Sequence, residues 1–347
     1  MKSTSGRDMS QAWNRRYQVA SALLDDPIYL GDISARMQVL VNRVEPAADF
    51  FGKKESIVGS GSVWLFSGTF NPLTLAHIAL VRSARRLAGA HHHMLWLLAV
   101  ASIEKESVAR ATLVDRLAHL LAYVRAEPHS SVVVVNRGLY VEQVTLLRSQ
   151  LLTSSDLVVL VGFDKIEQIF DPHYYQDRRA ALDKLFSEAR FVVAPRSHAT
   201  SAQLGALLSR PENQPYQGGV SYLPVASRYR EDSATVARRL ASQPGVSKSA
   251  LGHLLPPEGV ALALRTGAYA APSDEDLRDT YFWRRKWIAA LGQLVSAIPA
   301  VDGAHLPDLD ALCRAAMADD ERGQRLQRAL LADPLEKAEL LSLLAWR

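Results

Sequence analysis

One cysteine, Cys313, is all that the 347 residues contain, which excludes an internal disulfide framework and any zinc site built from several thiolates. Long apolar runs are missing as well. None approaches the ~20 residues that span a bilayer, and the N-terminus carries Arg7 and Asp8 where a signal peptide would be apolar. A cytoplasmic protein with no membrane contact is the expectation. Charge of one sign is scarce: 40 Lys and Arg against 36 Asp and Glu leave +4, too little for a nucleic-acid partner without a clustered basic face. The chain has no GxxxxGK(S/T) phosphate loop, no internal repeat and no low-complexity tract, and Gly59-Ser60-Gly61 precedes an apolar run where a dinucleotide fingerprint would follow one. Three adjacent histidines, His91-His92-His93, do not readily converge on one metal ion and read as a solvent-facing turn between a helix and a strand. What is present is a hydrophobic content of 48%, enough for one large or two ordinary domains.

After residue 61, apolar and β-branched runs alternate with longer helical patterns, the order of a parallel sheet covered by helices. Expected strands are Val63–Phe66, Met94–Val100, Val132–Asn136, Leu157–Gly162, Phe191–Ala194 and Ser221–Val225. Expected helices are Leu75–Leu87, Thr112–Ala126, Val141–Leu152, Arg178–Ala189 and Ser233–Ala241. Residues 1–60 read as a helical N-terminal extension, 61–272 as the α/β domain, and 273–347 as an all-helical C-terminal extension beyond the boundary at Ala271-Pro272-Ser273-Asp274. The terminal helices pack on the core or make a subunit contact, which leaves a homo-oligomer open.

The stretch from Val63 to His77 holds most of the chemistry. A buried strand, a tight turn at Gly68 and a helix start deliver His77 to the turn. Asn71 reads as the N-cap and Pro72 as the first helical residue, where its missing N–H costs nothing. Thr74 and His77, three apart on one face, then stand beside the positive end of the helix dipole, and Gly68 and Thr69 offer backbone N–H groups to an anion. This is a phosphate-handling geometry at a strand's carboxyl end, where ligands of open α/β sheets bind.

Gly68-Thr69-Phe70-Asn71-Pro72-Leu73-Thr74-Leu75-Ala76-His77 resembles the (H/T)xGH signature of the nucleotidylyltransferase superfamily, with Ala76 where the signature has glycine. It is most similar to the nicotinamide/nicotinate mononucleotide adenylyltransferases, some of which carry Thr at the first position. Four further segments agree in order. Val161-Gly162-Phe163-Asp164-Lys165 resembles the family's GxD strand end, and Phe191-Val192-Val193-Ala194-Pro195-Arg196 its strand ending in Arg. Ser233-Ala234-Thr235-Val236-Ala237-Arg238 resembles the SSTxxR helix start, with Ala234 in place of serine, and Pro256-Pro257-Glu258-Gly259-Val260 the proline-led segment that opens the closing helix.

The resemblance implies a Rossmann-like doubly wound parallel sheet and an enzyme that moves AMP from ATP to nicotinamide or nicotinate mononucleotide, with Mg²⁺ entering on ATP and no other metal. It implies that His77, Thr74 and Arg238 act on the phosphates in the transition state. Gly68, Thr69, Phe70, Gly162, Asp164, Arg196, Ser233 and Thr235 complete the ATP site, with Asp164 on ribose hydroxyls. Lys105 would meet the mononucleotide phosphate, and Tyr140, Tyr174 and Tyr175 the pyridine ring; Arg116 sits where an arginine often follows. Each has a plainer reading: a capping histidine at 77, an ordinary turn at Gly68, solvated side chains at Lys105 and Arg196, half-buried tyrosines, a surface salt bridge at Arg116, a surface helix bearing Arg238-Arg239. Two alternative functions stay open. One is nucleotidyl transfer to another phosphorylated acceptor, such as phosphopantetheine or a sugar or polyol phosphate; the other is a homologue that binds nucleotide without turnover.

Overall fold

Two helices open the chain, α1 (Thr4–Asp25) and α2 (Pro27–Val41). The second begins where Asp26 accepts from the Tyr29 N–H with Pro27 at the first helical position. Seven strands follow: β1 (Ala48–Phe51), β2 (Ser62–Ser67), β3 (His92–Ala99), β4 (Ser130–Val135), β5 (Asp156–Gly162), β6 (Arg190–Ala194) and β7 (Val220–Tyr222). Between them lie α3 (Leu75–Ala88), α4 (Leu113–Arg125), α5 (Tyr140–Gln150), α6 (Phe163–Phe170), α7 (Arg178–Glu188) and α8 (Ser201–Leu208). The chain then runs through α9 (Ala234–Ala241), α10 (Lys248–Gly252), α11 (Pro257–Thr266), α12 (Thr280–Ala297), α13 (Leu309–Met317), α14 (Glu321–Leu331) and α15 (Lys337–Leu344). The computed structural model describes residues 4–52, 57, 61–89, 92–100, 111–150, 156–194, 200–225, 233–270, 279–297 and 306–344. No helix among them is long and apolar enough to cross a membrane.

The strands form one sheet in the order β1-β4-β3-β2-β5-β6-β7, with every neighbouring pair parallel except β1 and β4. The fold is therefore the Rossmann-like α/β arrangement expected from the alternation of patterns. From β2 the chain steps outward to β3 and β4, returns across to β5, and continues outward on the other side to β6 and β7. The direction reverses between β2 and β5, and a crevice opens beyond the carboxyl ends of such a pair. Met94–Leu98, Val132–Val135 and Leu157–Val161 are each buried throughout, the mark of parallel strands covered on both faces. On one face Leu65, Val159 and Val193 pack with Ile166 of α6, Leu182 of α7 and Leu204 of α8.

β1 corrects the reading of residues 1–60 as helical. Ala48-Asp49-Phe50-Phe51 is too short to show a period, and pairing with β4 is what makes it a strand. Asn136 secures the junction by accepting from the Ala47 N–H while its side-chain amide donates to the Arg43 and Glu45 carbonyls. The histidine run needs the same correction: His92 and His93 begin β3 instead of forming a solvent-facing turn, and His93 is buried with Nε2 at 3.0 Å from the Ser131 hydroxyl. His91 and the boundary at 271–274 lie outside the described residues.

The chain forms two compact units, each discontinuous in sequence. The sheet unit comprises Arg43–Ser107 and Glu127–Val236; the helical unit comprises Met1–Asn42, Val108–Ala126 and Ala237–Arg347. Within the helical unit α2 lies close against α12 because glycine faces the partner on each. A Cβ on Gly31 would meet Val295 Cγ2 at 2.9 Å, and one on Gly292 would meet the Ser34 hydroxyl at 2.5 Å and its Cβ at 2.8 Å. Beneath α4 the fully buried Asp115 carboxylate accepts from the Arg284 guanidinium at 2.6 and 3.1 Å, from the Tyr281 hydroxyl and from Thr112. Arg284 also donates to the Leu24 carbonyl, so one ion pair joins α1, α4 and α12.

Candidate active site

The ladder between β2 and β3 continues one residue past the strand, with the Gly68 N–H donating to the Leu97 carbonyl at 3.0 Å. That N–H is used within the sheet, which corrects the expectation that it faces an anion. Gly68 contributes instead by lacking a Cβ, which would come within 3.0 Å of the Phe70 ring. Thr69 is exposed at the tip of the turn. Phe70 takes a left-handed φ of 42°, rare for a side chain of this size, and its ring is held by edge contacts to Phe66, Trp96 and His77 at centroid distances of 5.4 to 5.6 Å. Phe70 is 1% exposed and forms the apolar floor on which His77 rests.

The cap stands three residues later than the sequence suggests, while the helix itself starts at Leu75, as expected. Thr74, not Asn71, is the N-cap of α3, and Asn71, Pro72 and Leu73 are buried in the turn before it. The reason lies in a capping box that the reading overlooked. The Thr74 hydroxyl accepts from the His77 N–H at 3.4 Å, and the Thr74 N–H donates back to His77 Nδ1 at 3.0 Å. Histidine occupies the position where such a box has Glu or Gln, so Thr74 and His77 satisfy two helix-start donors between them. Thr74 Oγ1 also lies 2.8 Å from His77 Nδ1, and Thr74 is 1% exposed.

Across the switch point, β5 ends at Gly162, which caps α6 without a side-chain hydrogen bond. A Cβ there would meet Asp164 Oδ1 at 2.7 Å. The glycine leaves room for the Asp164 carboxylate, which folds back over the first turn of α6 where the helix dipole favours negative charge. Asp164 itself is exposed. Tyr140 starts α5 with its hydroxyl beside Ser67, the last residue of β2. Burial foremost, and then the Asp164 charge, push the phenol well above its ordinary range, while a hydrogen bond from Ser67 opposes them. Ser67, Gly68, Thr69, His77, Tyr140, Gly162 and Asp164 thus gather at adjoining strand ends in the sheet unit. Ser67 had escaped the sequence reading, since a serine closing an apolar strand carries no signal of its own.

Other expected residues are placed differently. The Tyr175 hydroxyl donates to the Ile169 carbonyl at 2.8 Å and its ring packs on the core, which pushes the phenol up to about 12, chiefly by burial. Scaffold contacts account for it without a ligand. Tyr174 stands edge-on to His173. The Ser233 hydroxyl accepts from the Val236 N–H at the start of α9, and Thr235 is exposed on its first turn. Arg238 belongs to the helical unit, where it and Arg116 act on the buried Tyr269 hydroxyl and partly offset the upward push of burial. Arg116 is 7% exposed, which overturns its reading as a surface salt bridge; burial lowers its pKa. Lys105 and Arg196 lie outside the described residues.

A family model described as cytidylyltransferase-like matches residues 65–240. A solved structure described as Plasmodium falciparum nicotinic acid mononucleotide adenylyltransferase complexed with APC aligns with a TM-score of 0.42 and 15% identity, covering 60% of this chain and 97% of that one. No curated protein matches the chain in sequence.

Proposed function

The chain belongs to the cytidylyltransferase-like family of nucleotidyltransferases, and from that premise we propose that it transfers AMP from ATP to nicotinamide or nicotinate mononucleotide. A phosphate oxygen of the mononucleotide attacks the α-phosphorus of ATP in line. The new P–O bond forms, the bond bridging the α- and β-phosphates breaks, and pyrophosphate leaves with the electron pair. No nucleophilic side chain is required, so the protein supplies position and donors for the developing charge.

The observation that carries this reading is His77, anchored to Thr74 at the N-terminus of α3 and resting on an aromatic floor beside the β2/β5 switch point. In the proposed complex His77 donates to the phosphates, Thr69 and the first turn of α3 offer backbone donors, and Asp164 accepts from ribose hydroxyls. Ser233 and Thr235 would hold the β- and γ-phosphates, Arg196 the adenylate, and Lys105 the mononucleotide phosphate, with Tyr140 and Tyr174 toward the pyridine ring. Among the described residues no three His, Cys, Asp or Glu side chains converge as a metal cage. Mg²⁺ would enter with the triphosphate and neutralise its charge there.

The family model's description favours a second reading, in which the nucleotide is CTP or the acceptor another phosphorylated alcohol. Crossing ATP and CTP with each candidate acceptor in the presence of Mg²⁺, and following pyrophosphate release and the joined product, separates the two. Tight nucleotide binding without product from any pair would mark a non-catalytic homologue. In the productive pair, His77→Ala should lower kcat more than roughly a hundredfold at an unchanged far-UV spectrum, because it removes a donor aimed at transition-state charge.

A further inference from the structure

We propose that the groove between α1, the last turn of α4 and the start of α11 is a second ligand site, built to hold a small organic phosphomonoester. It lies wholly within the helical unit, and its chemistry owes nothing to the proposed nucleotidyl transfer.

One stripe of α1 brings Arg15, Arg16 and Val19 into the groove, α4 brings Ala122 and Arg125, and α11 brings Glu258. The space they enclose is about 580 Å³, the size of a small-molecule pocket. Arg16 and Glu258 are spent on each other. Arg16 Nε donates to Glu258 Oε1 at 2.7 Å and a terminal nitrogen donates to Oε2 at 3.2 Å, while the guanidinium lies 5.2 Å from the centroid of the Tyr123 ring. Glu258 is 1% exposed, so this pair forms a fixed inner wall with no net charge. Arg15 and Arg125 differ from it: both are exposed, and among the described residues neither makes an ion pair. Arg125 lies 5.4 Å from the centroid of the Tyr29 ring, which burial keeps as the neutral phenol. The groove therefore carries two uncompensated positive charges. The carboxyl end of α4 opposes them with roughly half a negative charge, which leaves the balance positive by more than one unit. A guanidinium grips a compact oxyanion through paired N–H donors, and a phosphomonoester brings nearly two negative charges at neutral pH. Phosphate alone would fill only a small part of the space. Val19 and Ala122 supply the apolar wall on which the organic part of the ester rests.

Calorimetric titration of the full chain with ribose 5-phosphate and with glycerol 3-phosphate tests the site, at low salt because exposed charges are screened. The double variant Arg15→Ala, Arg125→Ala should bind at least one ester about tenfold more weakly or worse than the wild type, and Arg15→Lys, Arg125→Lys should fall between them. Both side chains are exposed and unpaired, so the far-UV spectrum should not change and Tm should move by no more than about 3 °C. His77→Ala should keep the affinity within about twofold, which separates this site from the strand-end one. Inorganic phosphate should bind at least about tenfold more weakly than the ester, since it leaves the apolar wall bare. Hydrogen exchange read by mass spectrometry should slow in residues 11–19 and 122–126 when the ester is added. Wild-type affinity in the double alanine variant overturns the proposal, as does loss of binding in His77→Ala instead. Inorganic phosphate or succinate binding as tightly as the ester overturns it too, as does failure of both esters to bind below about 10 mM.

Discussion

Gly162 shows how one missing methyl group makes room for a charge at the candidate site. The carboxylate of Asp164 occupies the space a Cβ would take, 2.7 Å from its ideal position, and the obstructing atom is the end of an exposed side chain. Gly162→Ala should therefore leave the fold nearly untouched and displace the carboxylate. We expect a nucleotide Kd weaker by roughly tenfold, the order of one charged hydrogen bond, with Tm shifted by no more than about 3 °C. Calorimetric titration and a thermal melt check both halves. The glycine and the aspartate were legible in the sequence, but their relation was not, because it depends on how a side chain turns back over a helix start. Thr74 and His77 were read as neighbours on a helix face; that they cap the helix together follows only once the true first turn is known. Asn71-Pro72 misled because each is a good helix opener, and Thr74 with an acceptor three residues on is a better one.

In the helical unit, helices touch over glycine and over a buried charge. On α12, Gly292 faces Ser34 so closely that an added methyl group would lie 2.8 Å from its Cβ and 3.2 Å from the Ala35 nitrogen. Backbone cannot step aside as a side chain can. Gly292→Ala is expected to cost about 1–3 kcal/mol through overpacking, despite the gain in helix propensity, as urea denaturation will show. Asp115→Ala removes the partner of a guanidinium that is itself buried, and the uncompensated charge should cost about 3–5 kcal/mol in the same measurement. The segments that make these contacts were legible as helical, and the alternation of strands with helices revealed the sheet. β1 was hidden: four residues at a sheet edge carry no period, and only β4 makes them extended. The burial of Arg116 was hidden as well, since an arginine in an amphipathic pattern reads as solvated until its neighbours are placed.

At the scale of the whole molecule, stability should depend on pH through two buried histidines. Burial foremost, and then the charges of His129, His92 and Arg85, lower His93 to about 4; burial also lowers His119 to about 4, against the upward pull of its hydrogen bond to the Asp115 carbonyl. The ordinary value is about 6.5. The unfolded chain therefore binds more protons between these limits, so stability is fully present above about pH 6.5 and is lost as the pH falls toward 4. For His119, on the order of 3 kcal/mol is at stake. Denaturation midpoints at about pH 7 and 4.5 should converge more in His119→Gln than in the wild type, and an equal fall in both would remove His119 from the account. The threading of the two units leads to a different kind of conclusion. Val108–Ala126 belongs to the helical unit although the chain on either side of it builds the sheet. Residues 65–240, the stretch the family model spans, include α4 and omit α1, α2 and α11, against which it packs, along with β1 and the first residues of β2. Cut out at those boundaries, the fragment would expose Leu117, Leu120 and an Asp115 without Arg284. The stretch by which this chain is related to others coincides with neither of its compact units.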